Sequence, residues 1–257
     1  MNPVFANSAT LTVAEHRVLA RGGARPVRLG VRFGVWVHPG EGPVLIDTGY
    51  GPEVTRGRRS LALRAYAAVL RPRIEDQPED LLARLGFGPD DVRHIVITHF
   101  HADHVSGLRR FPKARVFAAG WAALRAQSRW HRLRHGVFDE LLPDDFEARL
   151  TPIEDRPVVA LSVSSAHDLF GDGRLLALPL PGHAIGHCGL VWPDQKLIYA
   201  ADAQWLGQAM REDRPPRGLA RLVYEDEAAM LASLATLRAA EAAGFEVRMC
   251  HDPVGHD

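Results

Sequence analysis

The sequence predicts an α/β protein in which two sheets are covered by helices. Two observations carry this. Short apolar runs of strand length give way to Ala- and Leu-rich helical stretches, and the order of strands then helices occurs in each half of the chain. No linker, low-complexity tract or short-period repeat interrupts the 257 residues. A single domain over 1–257 is therefore expected, with helical excursions at about 52–86 and 121–142.

Taken in order, the odd positions Val27, Leu29, Val31, Phe33, Val35 and Val37 have the period of a half-buried strand. His38 to Gly42 is a turn cluster, and Val44-Leu45-Ile46 follows as a buried strand ending at Asp47-Thr48-Gly49, which makes an early antiparallel hairpin. Ser60 to Arg71 reads as helix. Pro78-Glu79-Asp80 opens a second that Gly86 closes, with its acidic residues where the macrodipole favours them. Val92 to Thr98 and Val116 to Ala118 are strands.

Trp121 to Leu142 is mostly helical. There Trp121, Trp130, Phe138 and Leu142 read as helix core, with an acyl pocket as the alternative. Arg125, Arg129, Arg132 and Arg134 read as a solvated face. In the second half, Leu175 to Leu180 ends in Pro181-Gly182-His183, and Leu197 to Ala201 ends at Asp202. Glu225 to Ala243 is an amphipathic helix with Met230, Leu234 and Leu237 on one face, capped by Gly244. Phe245 to Cys250 ends at His251.

Composition limits the function classes. Net charge is +0, without the basic excess of a nucleic-acid binder. No apolar run approaches the roughly 20 residues that span a bilayer, and the first twenty residues lack a signal-peptide pattern. Two distant cysteines, Cys188 and Cys250, suit a reducing compartment. The expectation is a cytoplasmic protein with a small-molecule substrate and no nucleic-acid or membrane partner; a homodimer is compatible with it.

The chemistry is concentrated in Thr98-His99-Phe100-His101-Ala102-Asp103-His104, where the six residues from His99 onward hold four ligand-type side chains. Such a run repels itself unless a cation sits among it, and imidazole with carboxylate suits zinc and similar divalent metals. His183, Asp202 and His251, each following a strand, bring the set to seven. That is too many for one tetrahedral ion, and it suits two ions sharing a carboxylate with a position left for water. Alternate residues of an extended segment point the same way, so His99 and His101 can grip one ion. A turn into helix after Ala102 would swing Asp103 and His104 toward another, and Asp202 could bridge.

These residues resemble the metallo-β-lactamase-fold superfamily: its T-H-x-H-x-D-H motif at Thr98 to His104, with Pro181-Gly182-His183, Ala201-Asp202, the late His251 and the Leu45-Ile46-Asp47-Thr48-Gly49 strand. The resemblance implies a four-layer αβ/βα sandwich with two mixed sheets flanked by helices. It also implies His99, His101 and His183 on metal 1, Asp103, His104 and His251 on metal 2, and Asp202 bridging. Asp47 would stand behind the ligands and orient a histidine; capping its own turn is the alternative. The cofactors implied are two divalent ions, zinc by default, with iron, manganese or cobalt able to use the same donors.

The Gly182-His183-Ala184-Ile185-Gly186-His187 segment and Asp202-Ala203 are most similar to the N-acyl homoserine lactonase (quorum-quenching) branch. Those lactonases carry Tyr three residues after the bridging Asp. Here the residue is Trp205, a substrate-contact candidate whose indole N–H can donate but which has no phenol. His187 reads as a locally hydrogen-bonded structural histidine and Cys250 as a buried small hydrophobe. The expected activity is opening of a lactone or related ester by metal-bridging hydroxide, with Asp103 shuttling a proton. The alternatives are a glyoxalase II-like thioesterase, a phosphodiester or phosphotriester hydrolase, and a metal-binding sensor without turnover.

Overall fold

Alternation at the start of the chain produces the expected hairpin. In the computed structural model, which describes residues 1–216 and 224–253, β1 (Val4–Ala14) precedes β2 (Pro26–His38) and β3 (Gly42–Ile46). β2 and β3 pair antiparallel from Gly34 opposite Ile46 to His38 opposite Gly42. β2 is not half-buried, however: every residue from Leu29 to Trp36 is buried. The even positions include Gly30 and Gly34, and side chains of β1 occupy the space above them. A Cβ at Gly30 would meet Asn7 Oδ1 at 2.3 Å, and one at Gly34 would meet the Phe5 ring at 2.7 Å.

The chain divides into two compact units. The first comprises Met1–Leu11, Gly30–Ala118 and Leu124–Thr151. It is built on a seven-stranded sheet that adds β4 (Arg73–Ile74), β5 (His94–Val96), β6 (Arg115–Ala118) and β7 (Leu150–Pro152), in the order β4-β1-β2-β3-β5-β6-β7. β3, β5 and β6 run parallel. Their near-continuous apolar sequences follow from burial on both faces, with Val44, Leu45, Ile46, Ile95 and Val96 all at 0% exposure. Helices occur at Leu61–Leu70, where Ser60 Oγ accepts the Leu63 N–H, and at Pro78–Arg84, after which Gly86 turns the chain at φ +84°.

The 121–142 stretch is shorter in helix than its composition suggests, with α-helix at Trp121–Ala126 and Arg129–Arg134. Its aromatic group does not act as one. Phe138 and Leu142 are core, while Trp130 is 76% exposed. Nor is the arginine set all solvated: Arg132 is buried, donating to Gln127 O and Asp139 Oδ2.

The second unit comprises Thr12–Leu29, Ala119–Ala123 and Pro152–Asp257. Its six-stranded sheet runs β13 (Glu246–Met249), β12 (Leu197–Ala201), β11 (Cys188–Trp192), β10 (Leu176–Pro179), β9 (Ser165–Asp168), β8 (Val158–Ala160). All neighbours are antiparallel except β12 and β13. The helix Glu227–Ala242 starts at Asp226, whose Oδ1 accepts the Ala229 N–H. It buries Met230, Leu234 and Leu237 against Leu178, Ile198 and Val247, about 1.5–3 kcal/mol for each side chain.

Both sheets are mixed and flanked by helices, the fold class expected. Among the described residues no helix is long and apolar enough to cross a membrane.

Candidate metal centre

In the first unit, parallel pairing of β3 with β5 sets Ile46 opposite Val96, so the segments that follow emerge side by side. Asp47 comes first, in the left-handed region at φ +51°. Its Oδ1 accepts the Thr98 backbone N–H at 2.8 Å. Its Oδ2 accepts the Thr98 hydroxyl at 2.9 Å and lies 2.8 Å from His104 Nδ1. Asp47 is thus not occupied in capping its own turn. Because a carboxylate only accepts, His104 carries its hydrogen on Nδ1 and presents the Nε2 lone pair on the opposite side of the ring. Thr48 reinforces this, donating from N and Oγ1 to His104 O at 2.8 and 2.9 Å.

The turn into helix, expected after Ala102, starts one residue earlier as a one-turn helix, Ala102–Val105. The His99 ring lies 4.4 Å from that of His101 and 4.0 Å from that of His104. Asp103 Oδ2 is 3.8 Å from His104 Nε2, and Asp103 and His104 are both buried.

In the second unit the parallel pair β12–β13 does the same work. A register shift between Tyr199 and Ala201 sets Ala201 opposite Met249, and Cys250 N–H donates to Ala201 O at 2.9 Å. Ala201 takes φ +47°, an unfavourable angle for a residue with a Cβ, and turns the chain into Asp202. Asp202 Oδ2 lies 3.1 Å from His251 Nε2 and 3.5 Å from His183 Nε2. Burial pushes the His251 imidazole down, but the Asp202 carboxylate and Cys250 outweigh it and hold this histidine well above its ordinary range.

His183 sits in the β10–β11 connection. Gly182 adopts φ +122°, and a Cβ there would stand 2.1 Å from Met230 N. The loop is tied to the helix start through Asp226 N–H to Gly182 O at 2.9 Å and Ser233 Oγ–H to Pro181 O at 2.7 Å. His187 is a hydrogen-bonded structural histidine, as its sequence context suggests, but its bonds reach beyond its own loop. Its Nδ1 is 2.7 Å from Leu180 O and its Nε2 accepts the Asp202 N–H at 3.2 Å, so both ring nitrogens are engaged.

Three residues in the second unit exceed the sequence reading. Cys250 is more than a packing residue, because its sulfur and the donor atoms of Asp202 and His251 lie within 4.8 Å of one another. Gln204 is wholly buried two positions after Asp202, and its Oε1 accepts the Trp205 N–H at 2.8 Å and the Tyr224 hydroxyl at 3.3 Å. The Tyr224 ring lies 6.4 Å from His183. A phenol therefore borders this histidine, although position 205 itself holds a half-buried Trp. A glutamine two positions after Asp202 is a signal present in the sequence; Tyr224 has none, being about twenty residues further along the chain.

Imidazole nitrogens and carboxylate oxygens, buried and held at contact distance in each unit, are the donor chemistry that zinc and related divalent ions take. The fold and these donor groups together define the class. A model of the metallo-beta-lactamase superfamily matches residues 28–243, and the chain belongs to that superfamily. Within it, the chain is 28% identical to an N-acyl homoserine lactonase AttM of Rhizobium johnstonii, over 96% of this chain and 91% of the relative. Its fold matches that of a B. thuringiensis AiiA variant solved with N-decanoyl-L-homoserine at the active site (TM-score 0.72, 19% identity, 97% and 92% of the two chains). It also matches AidC, a dizinc quorum-quenching lactonase (TM-score 0.65, 16% identity, 98% and 87%).

Proposed function

We propose that the protein is a dinuclear metal-dependent hydrolase that opens lactones, with N-acyl homoserine lactones as the substrate class. Residues 1–257 would work as one domain. His99, His101 and His183 would hold metal 1, Asp103, His104 and His251 metal 2, and Asp202 both. The observation that carries this reading is the Asp202 carboxylate: one of its oxygens lies 3.1 Å from His251 Nε2 and 3.5 Å from His183 Nε2. A histidine proposed for each ion thus meets the same carboxylate. The lactonase relatives supply the substrate class.

Two bound divalent ions would supply a water with a near-neutral pKa and polarise the ester carbonyl. The remaining tasks fall to the chain. Asp47 fixes the tautomer of His104, and His187 holds the backbone of Asp202. Asp103, buried and carrying a carboxylate oxygen 3.8 Å from His104 Nε2, would accept a proton given up by the attacking water and pass it to the leaving alkoxide oxygen. Trp205 borders the substrate. Zinc is the metal the donors favour first. Cys188 and Cys250, buried and outside any disulfide, accord with a cytoplasmic setting.

The test is a kinetic screen of metal-replete protein on lactones, linear esters, S-lactoylglutathione and bis-p-nitrophenyl phosphate. Acyl homoserine lactones should give the highest kcat/KM. A clear preference for the thioester or the phosphate would overturn the lactone assignment, and metal uptake with no turnover on any of them would overturn the enzyme.

A further inference from the structure

We infer that Gln204 is a specificity-determining residue whose Nε2 donates to the exocyclic amide oxygen of an N-acyl lactone. The inference rests on the lactonase reading and deepens it. Gln204 is at 0% exposure, and its amide orientation follows from its partners. Oε1 accepts the Trp205 N–H and the Tyr224 O–H. The flipped amide would set its own N–H groups against the Trp205 N–H. Nε2 therefore lies on the other branch of the amide, buried and without a hydrogen-bond partner among the described residues.

Buried polar groups are almost always bonded, so an amide donor left open beside proposed metal ligands calls for an acceptor brought from outside. Two features define that acceptor. The donor is neutral, so it suits a neutral carbonyl; carboxylates and phosphates are the usual partners of Arg and Lys. Tyr224 and Trp205 both donate into Oε1, which polarises the amide and strengthens donation from Nε2. In a dinuclear hydrolase the scissile carbonyl goes to the metal. Tyr224 borders His183, and Gln204 follows Asp202 by two residues. The acceptor Gln204 would meet is a second carbonyl close to the ring, which an N-acyl homoserine lactone has and a simple γ-lactone lacks. A ligand without that oxygen would leave the donor buried and unpaired, so the wild type should discriminate against it.

The test compares wild type, Gln204→Met (similar length, no donor) and Tyr224→Phe on N-hexanoyl homoserine lactone and on γ-decalactone. Gln204→Met should raise KM for the acyl homoserine lactone about five- to tenfold, the worth of one hydrogen bond, and should not raise KM for γ-decalactone, which no longer leaves a buried donor unpaired. Tyr224→Phe should move KM the same way by less. Equal changes on both substrates, or none, would overturn the inference. A second readout needs no variant: in metal-loaded wild type, the Gln204 side-chain ¹⁵N–H resonances should shift downfield when N-hexanoyl homoserine is added. Unmoved resonances at saturation would also overturn it. The two readings fail differently. A wild type that opens lactones while Gln204→Met ignores the amide sinks only the role of Gln204, whereas a wild type that opens no lactone sinks both.

Discussion

The two units solve one problem in opposite ways. Each sheet contains a parallel pair, β3–β5 in one and β12–β13 in the other, that delivers a carboxylate beside a histidine where the strands end. In the first unit that carboxylate, Asp47, spends both oxygens on Thr98 and on the Nδ1 of His104. In the second, Asp202 turns Oδ2 toward the Nε2 atoms of His251 and His183 and is held from behind by His187 through its backbone N–H. One carboxylate orients an imidazole; the other, proposed as a shared ligand, is itself positioned by an imidazole. Residue type does not decide the role. What decides it is the backbone emerging beside the side chain, since Asp47 meets a donor-rich Thr98 and Asp202 meets ring nitrogens.

The largest effect should break this contrast from the donor side. Asp202→Ala removes the carboxylate proposed to be shared, so both ions and more than about a hundredfold of activity should go together. His104→Ala should release one ion only, and elemental analysis beside kcat/KM separates the cases. Full occupancy by both ions in Asp202→Ala would end the bridging role.

Asp47→Asn comes next. It keeps the shape but weakens the grip on His104 Nδ1, and should cost about 10–100-fold in metal affinity or activity. A variant within twofold of wild type would mean that Asp47 only holds the loop.

The support on the other side is His187. Its replacement by Ala leaves the Asp202 N–H and Leu180 O without a buried partner, at about 1–3 kcal/mol in urea denaturation. Gly182→Ala should cost a similar 1–3 kcal/mol, because the left-handed angle and the approach to Met230 oppose any Cβ. Unchanged denaturation midpoints would show that these supports are slack.

The smallest effect is one of pH. His251 has its folded-state pKa raised above the ordinary 6.5. In metal-free protein its pairing with Asp202 should therefore stabilise fully below that value, and the contribution is lost as pH rises through the raised one. A metal held by His251 would have to expel the proton, so its affinity should fall by up to about tenfold per pH unit below the raised value. Calorimetry in buffers of different ionisation enthalpy measures the released proton, and His251→Gln should abolish that part of it.

Much of the site was legible because strands announce their ends. Ile95-Val96-Ile97 running into His99, and Leu197 to Ala201 running into Asp202, are apolar runs stopped by ligand types, and the helix bearing Met230, Leu234 and Leu237 is periodic. Other features left no local trace. β2 looked half-buried because alternation reports only one face, while Asn7 and Phe5 fill the other from a different strand. Arg132 is drawn inward by Asp139 and a backbone carbonyl. Gln204 and Tyr224 meet only once the chain has folded back on itself.

The sequence by itself determined the donor inventory, the family and the strands that present the donors, because ligand chemistry and strand periodicity are properties of residue types in order. Only the tertiary structure decided that His104 turns Nδ1 to Asp47, that Asp202 lies instead beside the Nε2 atoms of His251 and His183, and that Gln204 Nε2 has no hydrogen-bond partner among the described residues. Those choices are made by hydrogen-bond partners, and the partners arrive through the register of parallel strands distant in the chain.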